Sequence, residues 1–237
     1  MTITEDTHVS AIVAENPRAA AVFERFGIDF CCGGQRPLGV VSRERGVALP
    51  DLLEALSSGD ASAAGTVPRF TTWSLGLLVD YIVENHHAWV RQASPVLLQH
   101  TRKIAQVHGR NHPELVEIAA QFETLAEDLE LHMMKEEQVL FPYLKELGEA
   151  RRGGRPQAGF MSAGGPIAMM MREHEQAGGE MATIRALSHD FTVPEDACGT
   201  FRACFQELRD FERDLHQHVH LENNVLFPRA LEEEHAG

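Results

Sequence analysis

Two distant segments of the chain carry the same pattern. His132-Met-Met-Lys-Glu136-Glu-Gln-Val-Leu-Phe-Pro142 and His218-Val-His-Leu-Glu222-Asn-Asn-Val-Leu-Phe-Pro228 each set a histidine and a glutamate four residues apart, ahead of an identical Val-Leu-Phe-Pro. On a helix that spacing stacks the two side chains on one face. The face is the apolar one: Phe122, Leu125 and Leu129 lead into His132, and Phe201, Cys204, Leu208, Phe211 and Leu215 lead into His218. A core stripe that ends in imidazole and carboxylate is a strong constraint. A lone buried carboxylate costs several kcal/mol or is forced neutral, so a cluster of such groups is tolerable chiefly when cations neutralise it.

The rest of the chain supplies the helices that such a site requires. Four long patterns step by three and four, as bundle-facing helices do. Helix A begins near Thr72, with Leu75, Leu78, Val79, Ile82 and Val83 inward and Pro95 as a kink. Helix B starts around Pro113 and includes Leu115 and Ile118. Helix C opens at Pro166 with Ile167, Met170, Met171, Met181 and Ile184, and helix D follows Pro194. No segment alternates with period two for long enough to make a strand. The expected fold is all-α: a four-helix bundle over 71–237, preceded by a small helical domain over 1–60. The small-residue stretch SSGDASAAGTVP suggests a flexible linker over 61–70. The formal net charge of −14 argues against nucleic acid or an anionic membrane as partner. No apolar run approaches the roughly 18 residues of a membrane span. The polar start, MTITEDTHVS, shows no signal peptide, so the expected compartment is the cytoplasm.

Helix C adds one more inward histidine, His174, four residues after Met170. Helix A offers His86 and His87, and the phase counted from Val79 and Ile82 favours His86. One imidazole from each helix and two carboxylates are too many for one tetrahedral zinc. They fit two metals, each held by two histidines and bridged by both glutamates. Without thiolates, the donor set suits iron, manganese or zinc. The ferritin-like plan places Glu-x-x-His on two helices. Here His-x-x-x-Glu replaces it on B and D, which points to a hemerythrin-type bundle.

The bundle resembles hemerythrin-like domains, and the whole chain resembles the di-iron proteins of iron–sulfur cluster repair, the "repair of iron centres" family. The resemblance rests on Asn16-Pro-Arg-Ala-Ala and Phe30-Cys-Cys-Gly-Gly34, then on His132-Met-Met-Lys-Glu-Glu and Leu221-Glu-Asn-Asn-Val-Leu-Phe-Pro-Arg-Ala230. It implies two iron ions held by His87, His132, Glu136, His174, His218 and Glu222. Oxygen-carrying hemerythrins have a second helix-C histidine, and here that place is Gly178. His108 also has a counterpart in the family, but it stands about 31 Å along an unbroken helix from His87. It reaches the metals only if the chain turns back after Pro95. His100, His112, His189, His216, His220 and His235 fall off the core stripes and are expected at the surface. Cys204 is expected to pack in the core, and Cys198 has no assigned role.

The adjacent Cys31 and Cys32 cannot easily form a disulfide with each other, and they are the candidate reactive pair. The resemblance implies repair of iron–sulfur proteins damaged by nitrosative or oxidative stress, with iron donated through these thiols. A second reading of the same site is reductive coupling of nitric oxide to nitrous oxide. A third is a module that binds or senses oxygen or nitric oxide. No nucleotide or flavin motif is evident, so any turnover draws electrons from an external donor. A homodimer is compatible with all three.

Overall fold

The computed structural model describes residues 1–58, 68–150 and 162–236. Most of the expected linker, 61–67, lies outside the described residues, as does 151–161 within the Gly/Pro-rich break before the third bundle helix. Phe70, at the linker's far end, is buried in the bundle. No strand occurs among the described residues, only one isolated antiparallel bridge between His8 and Pro37.

Four short helices form the N-terminal domain: α1 Val9–Glu15, α2 Ala19–Arg25, α3 Leu38–Arg45 and α4 Leu49–Ser58. Gly27 and Gly46, at φ 64° and 67°, provide the left-handed turns that end α2 and α3. The bundle follows as four rods. The first is α5 (Leu75–Tyr81), a π-helical turn over Ile82–His87, and α6 (Ala88–His108). Ser74 caps α5 by accepting the Leu77 N–H at 3.3 Å. The second is α7 (Glu114–Lys135), a π turn over Glu136–Leu140, and α8 (Phe141–Ala150). The third is α9 (Gly164–Leu187). The fourth is α10 (Gly199–Leu221), a π turn over Glu222–Leu226, and α11 (Phe227–His235).

The two repeated Phe-Pro pairs explain two of the wide turns. Pro142 and Pro228 have no N–H to give the preceding turn, so the ladder must reorganise just before them. Pro95 acts differently: α6 runs through it as one helix to His108. The chain does not turn back after Pro95, and His108 stays at the far end beside Phe201, ring centroids 5.4 Å apart.

The apolar core falls into two parts. One joins the N-terminal domain, through Phe23, Phe30 and Leu38, to Leu97, Phe122, Leu208 and Phe211 of the bundle. The other gathers Leu78, Ile82, Leu144, Ile167, Leu226 and Phe227. The inward histidines and glutamates form the layer between them. Of the expected core positions, Met171 is the exception on α9, being 36% exposed.

A candidate metal centre between the four rods

Six side chains meet in this middle layer: His87, His132, Glu136, His174, His218 and Glu222, none more than 3% exposed. They form two overlapping sets. His87, Glu136, His218 and Glu222 make one, and His132, Glu136, His174 and Glu222 the other, with the donor atoms of each set all within 4.8 Å of one another. Both glutamates belong to both sets. Each set therefore offers two imidazoles and two shared carboxylates.

On the first rod the π turn brings His87, and not His86, into the inward layer. An ordinary helix would bring His86, four after Ile82, onto the inward face. The wider turn over Ile82–His87 admits one more residue, and His87 takes that place. His87 Nε2 stands 3.1 Å from His218 Nε2 and 3.4 Å from Glu136 Oε2. His86 is buried but outside both sets, its Nδ1 3.0 Å from Asp214 Oδ1. On the other side, His174 Nε2 is 2.9 Å from His132 Nε2 and 3.1 Å from Glu222 Oε2.

These contacts fit a cation site. Neither oxygen of Glu136 has a hydrogen-bond partner, although the residue is fully buried. Paired Nε2 atoms at about 3 Å face one another with only one proton to share between them. Left to themselves, the six groups redistribute protons. Burial, and then Glu222, push Glu136 up to about 7. Burial also opposes the Glu222 anion, but His218, His174 and His87 outweigh it and hold this carboxyl well below the usual range. Burial would lower His87 too, yet Glu136 and Glu222 raise it to about 10. His174 rises to about 9 against burial, mainly through Glu222. His132 and His218 fall to about 4, chiefly through burial. Divalent cations would replace those protons with charge the carboxylates can bind.

Sequence reasoning missed the outer layer. His87 Nδ1 meets Glu137 Oε1 at 2.7 Å, His132 Nδ1 meets Glu173 Oε2 at 2.9 Å, and His174 Nδ1 meets Asn223 Oδ1 at 2.9 Å. Such partners fix the tautomer and direction of a ligating imidazole. Glu137, Glu173 and Asn223 each adjoin an inward residue in the chain, the one clue the sequence held. Between α7 and α9, a cavity of about 170 Å³ reaches His132 and His174 past Asp128, Glu173, Gln176 and Glu180.

The thiols lie against this centre. Asp29 organises their turn: Oδ1 accepts the N–H groups of Cys31 and Cys32 at 2.9 and 3.0 Å, and Oδ2 accepts that of Gly33 at 2.8 Å. A Cβ on Gly34 would fall 2.2 Å from the Phe30 carbonyl oxygen, so only glycine fits there. Asn224, two residues past Glu222, donates to the Cys31 carbonyl at 2.8 Å and pins the turn to the fourth rod. Cys32 Sγ stands 3.7 Å from the His174 carbonyl oxygen. It is also 3.7 Å from where a Cβ on Gly178 would be, so the thiol turn covers the place of the absent helix-C histidine. The two sulfurs are 3.9 Å apart and free. The hydrogen bond from Cys31 lowers the Cys32 thiol, whereas that bond and burial raise Cys31 well above the ordinary value.

His220 departs from the expected surface placement. It is 3% exposed, and Phe30 packs edge-on against it at 5.7 Å. The thiol domain covers a face of α10 that the bundle pattern alone assigns to water. Cys204 is fully buried, as its stripe implies, and Cys198 is exposed at the start of α10.

Comparison with known proteins agrees with this architecture. Residues 78–230 match the family model of the hemerythrin HHE cation binding domain, and residues 5–60 match ScdA_N, a domain of unknown function (DUF542). The chain is 35% identical over 227 residues to an iron-sulfur cluster repair protein YtfE of Dickeya chrysanthemi (strain Ech1591), covering 95% of this chain and 97% of the relative. It is 37% identical over 219 residues to one of Musicola paradisiaca (strain Ech703), covering 91% of each. A probable iron-sulfur cluster repair protein of Haemophilus influenzae is 32% identical over 226 residues, 95% of this chain and 96% of the relative.

Proposed function

The chain belongs to the hemerythrin HHE family, in the branch shared with iron–sulfur cluster repair proteins, and from that premise we propose that it holds two irons and yields iron to damaged clusters. The observation that carries this reading is the seat of Cys32, beside the His174 backbone and over Gly178. A reactive thiol packed against a helix that supplies a metal donor is placed to accept a departing cation.

When bound, iron supplies an exchangeable cation with open coordination positions. The chain's own groups do the rest. Glu136 and Glu222 lie between the two histidine pairs and belong to both positions. Glu136 at about 7, His174 at about 9 and His87 at about 10 take up protons as cations leave, which keeps the emptied pocket near neutral. Asp29 and Asn224 hold the turn, and the Cys31 thiol, 3.3 Å from Asp29 Oδ1 and 3.9 Å from the Cys32 sulfur, can donate a hydrogen bond to that sulfur. That bond favours the Cys32 thiolate, the form that ligates metal. The client is an iron–sulfur protein whose cluster has been damaged by nitrosative or oxidative stress.

The test mixes iron-loaded protein anaerobically with a nitric oxide-damaged iron–sulfur protein and follows cluster absorbance, iron transfer and nitrous oxide together. Donation is expected to restore the cluster as iron leaves this chain. Cys31→Ser/Cys32→Ser should keep its two irons and deliver them several-fold more slowly. Nitrous oxide formed without restoration would replace donation with the nitric oxide reductase reading. Unchanged delivery by the double variant would reduce the thiols to a structural turn.

A further inference from the structure

Three of the four inward histidines have a partner on their outer nitrogen: Glu137 for His87, Glu173 for His132 and Asn223 for His174. His218 is the exception, its Nδ1 buried without a hydrogen-bond partner. A ligating imidazole ordinarily donates that second N–H to a carboxylate, a carbonyl or a water. Two more buried atoms without partners, His86 Nε2 and Asp214 Oδ2, belong to side chains beside it. The three residues form one group. Asp214 precedes His218 by one helical turn on α10. His86 Nδ1 is 3.0 Å from Asp214 Oδ1. The His86 ring stacks on that of His218, centroids 5.6 Å apart and planes 8° from parallel. Tyr81 packs edge-on against His86 from another side, at 5.7 Å.

A buried water typically makes about three hydrogen bonds to groups that would otherwise be unsatisfied. The His218 N–H and the second Asp214 oxygen are two such groups, whereas the free His86 nitrogen points away from Asp214, on the far side of a ring whose Nδ1 faces it. We infer that Asp214 and His86 are positioning residues for His218: Asp214 supports its ring through one buried water, as Glu137, Glu173 and Asn223 support the other rings directly, and His86 holds Asp214 in place through Nδ1. The inference rests on the two-metal reading above and deepens it. The support reaches only the position that His218 shares with His87, so the two cations are held by different means.

The test is iron retention by the full-length protein. Protein loaded anaerobically with ferrous iron is challenged with rising concentrations of a ferrous chelator, and remaining iron is counted. Loss of an outer partner typically costs about 10–100-fold in metal affinity. Asp214→Asn and His86→Phe should each release one iron at about 10–100-fold lower chelator concentration and leave the other unmoved. Glu173→Gln should loosen the opposite iron, so that Asp214→Asn/Glu173→Gln loosens both. His86→Gln, whose amide can still donate to Asp214, should recover much of the loss. Two irons loosened equally by Asp214→Asn would indicate general destabilisation and overturn the inference, as would no change. If the unmodified chain holds fewer than two irons, the two-metal reading falls and this inference with it. If it holds two, failure of the variants falls on the inference alone.

Discussion

Glu136 and Glu222 each belong to both candidate donor sets. Removing either should therefore empty both positions, whereas removing one histidine should weaken one. Glu136→Ala and Glu222→Ala are each expected to lower iron from about two per chain to near zero, measured by elemental analysis of protein loaded anaerobically. Two irons at full occupancy in both variants would exclude shared carboxylates. These residues were legible in the sequence because an apolar stripe runs into them, and no ordinary core needs His132 and Glu136 one turn apart. His87 was not legible by phase. Counting from Ile82 assumes an ordinary helix, and the extra residue of the π turn shifts the inward place from His86 to His87. Glu173 was harder to read for another reason: its partner, His132, comes from another rod, a relation that no local spacing encodes.

At the scale of an element, the start of α10 combines features that lower a thiol's pKa. Cys198 stands exposed just before a 23-residue helix. The His108 imidazole and the backbone amides of Phe201 and Thr200 bring its thiol down to about 7. One turn into the same helix, burial pushes Cys204 up to about 12. The thiolate is the nucleophile, so reactivity rises with pH through the thiol's pKa and levels off above it. Iodoacetamide should label Cys198 with a rate midpoint near pH 7 and leave Cys204 unlabelled in the folded chain. His108→Phe should move the Cys198 midpoint upward, as peptide mapping across a pH series would record. An ordinary thiol midpoint at Cys198 would contradict this account. The helices themselves were read well from their stripes, because Phe122, Leu125, Leu208 and Phe211 sit inward at every expected step. Their starts were less legible: α5 opens at Leu75 under the Ser74 cap, and α10 opens at Gly199, five residues past Pro194.

Across the whole molecule, the thiol domain is part of the bundle's core. Phe30 packs against His216 and His220 of α10 at 5.9 and 5.7 Å, and one continuous apolar cluster spans both domains. The two should therefore unfold together, as one calorimetric transition. Phe30→Ala should cost about 3–5 kcal/mol of stability, by the usual scale for buried aromatics. Two resolved transitions in the unmodified chain would show that the domains are only loosely attached. The bundle's own geometry has a further consequence. The hairpin of the first two rods contributes His87 to one donor set, His132 to the other and Glu136 to both; the hairpin of the last two contributes His218, His174 and Glu222 in the same way. Exchanging the hairpins leaves the pattern of donors unchanged, since each brings one histidine to each set and one shared glutamate. Each hairpin holds half of either position and all of neither. A chain with one hairpin misassembled has no complete place for a cation, so metal retention reports on the assembly of the halves.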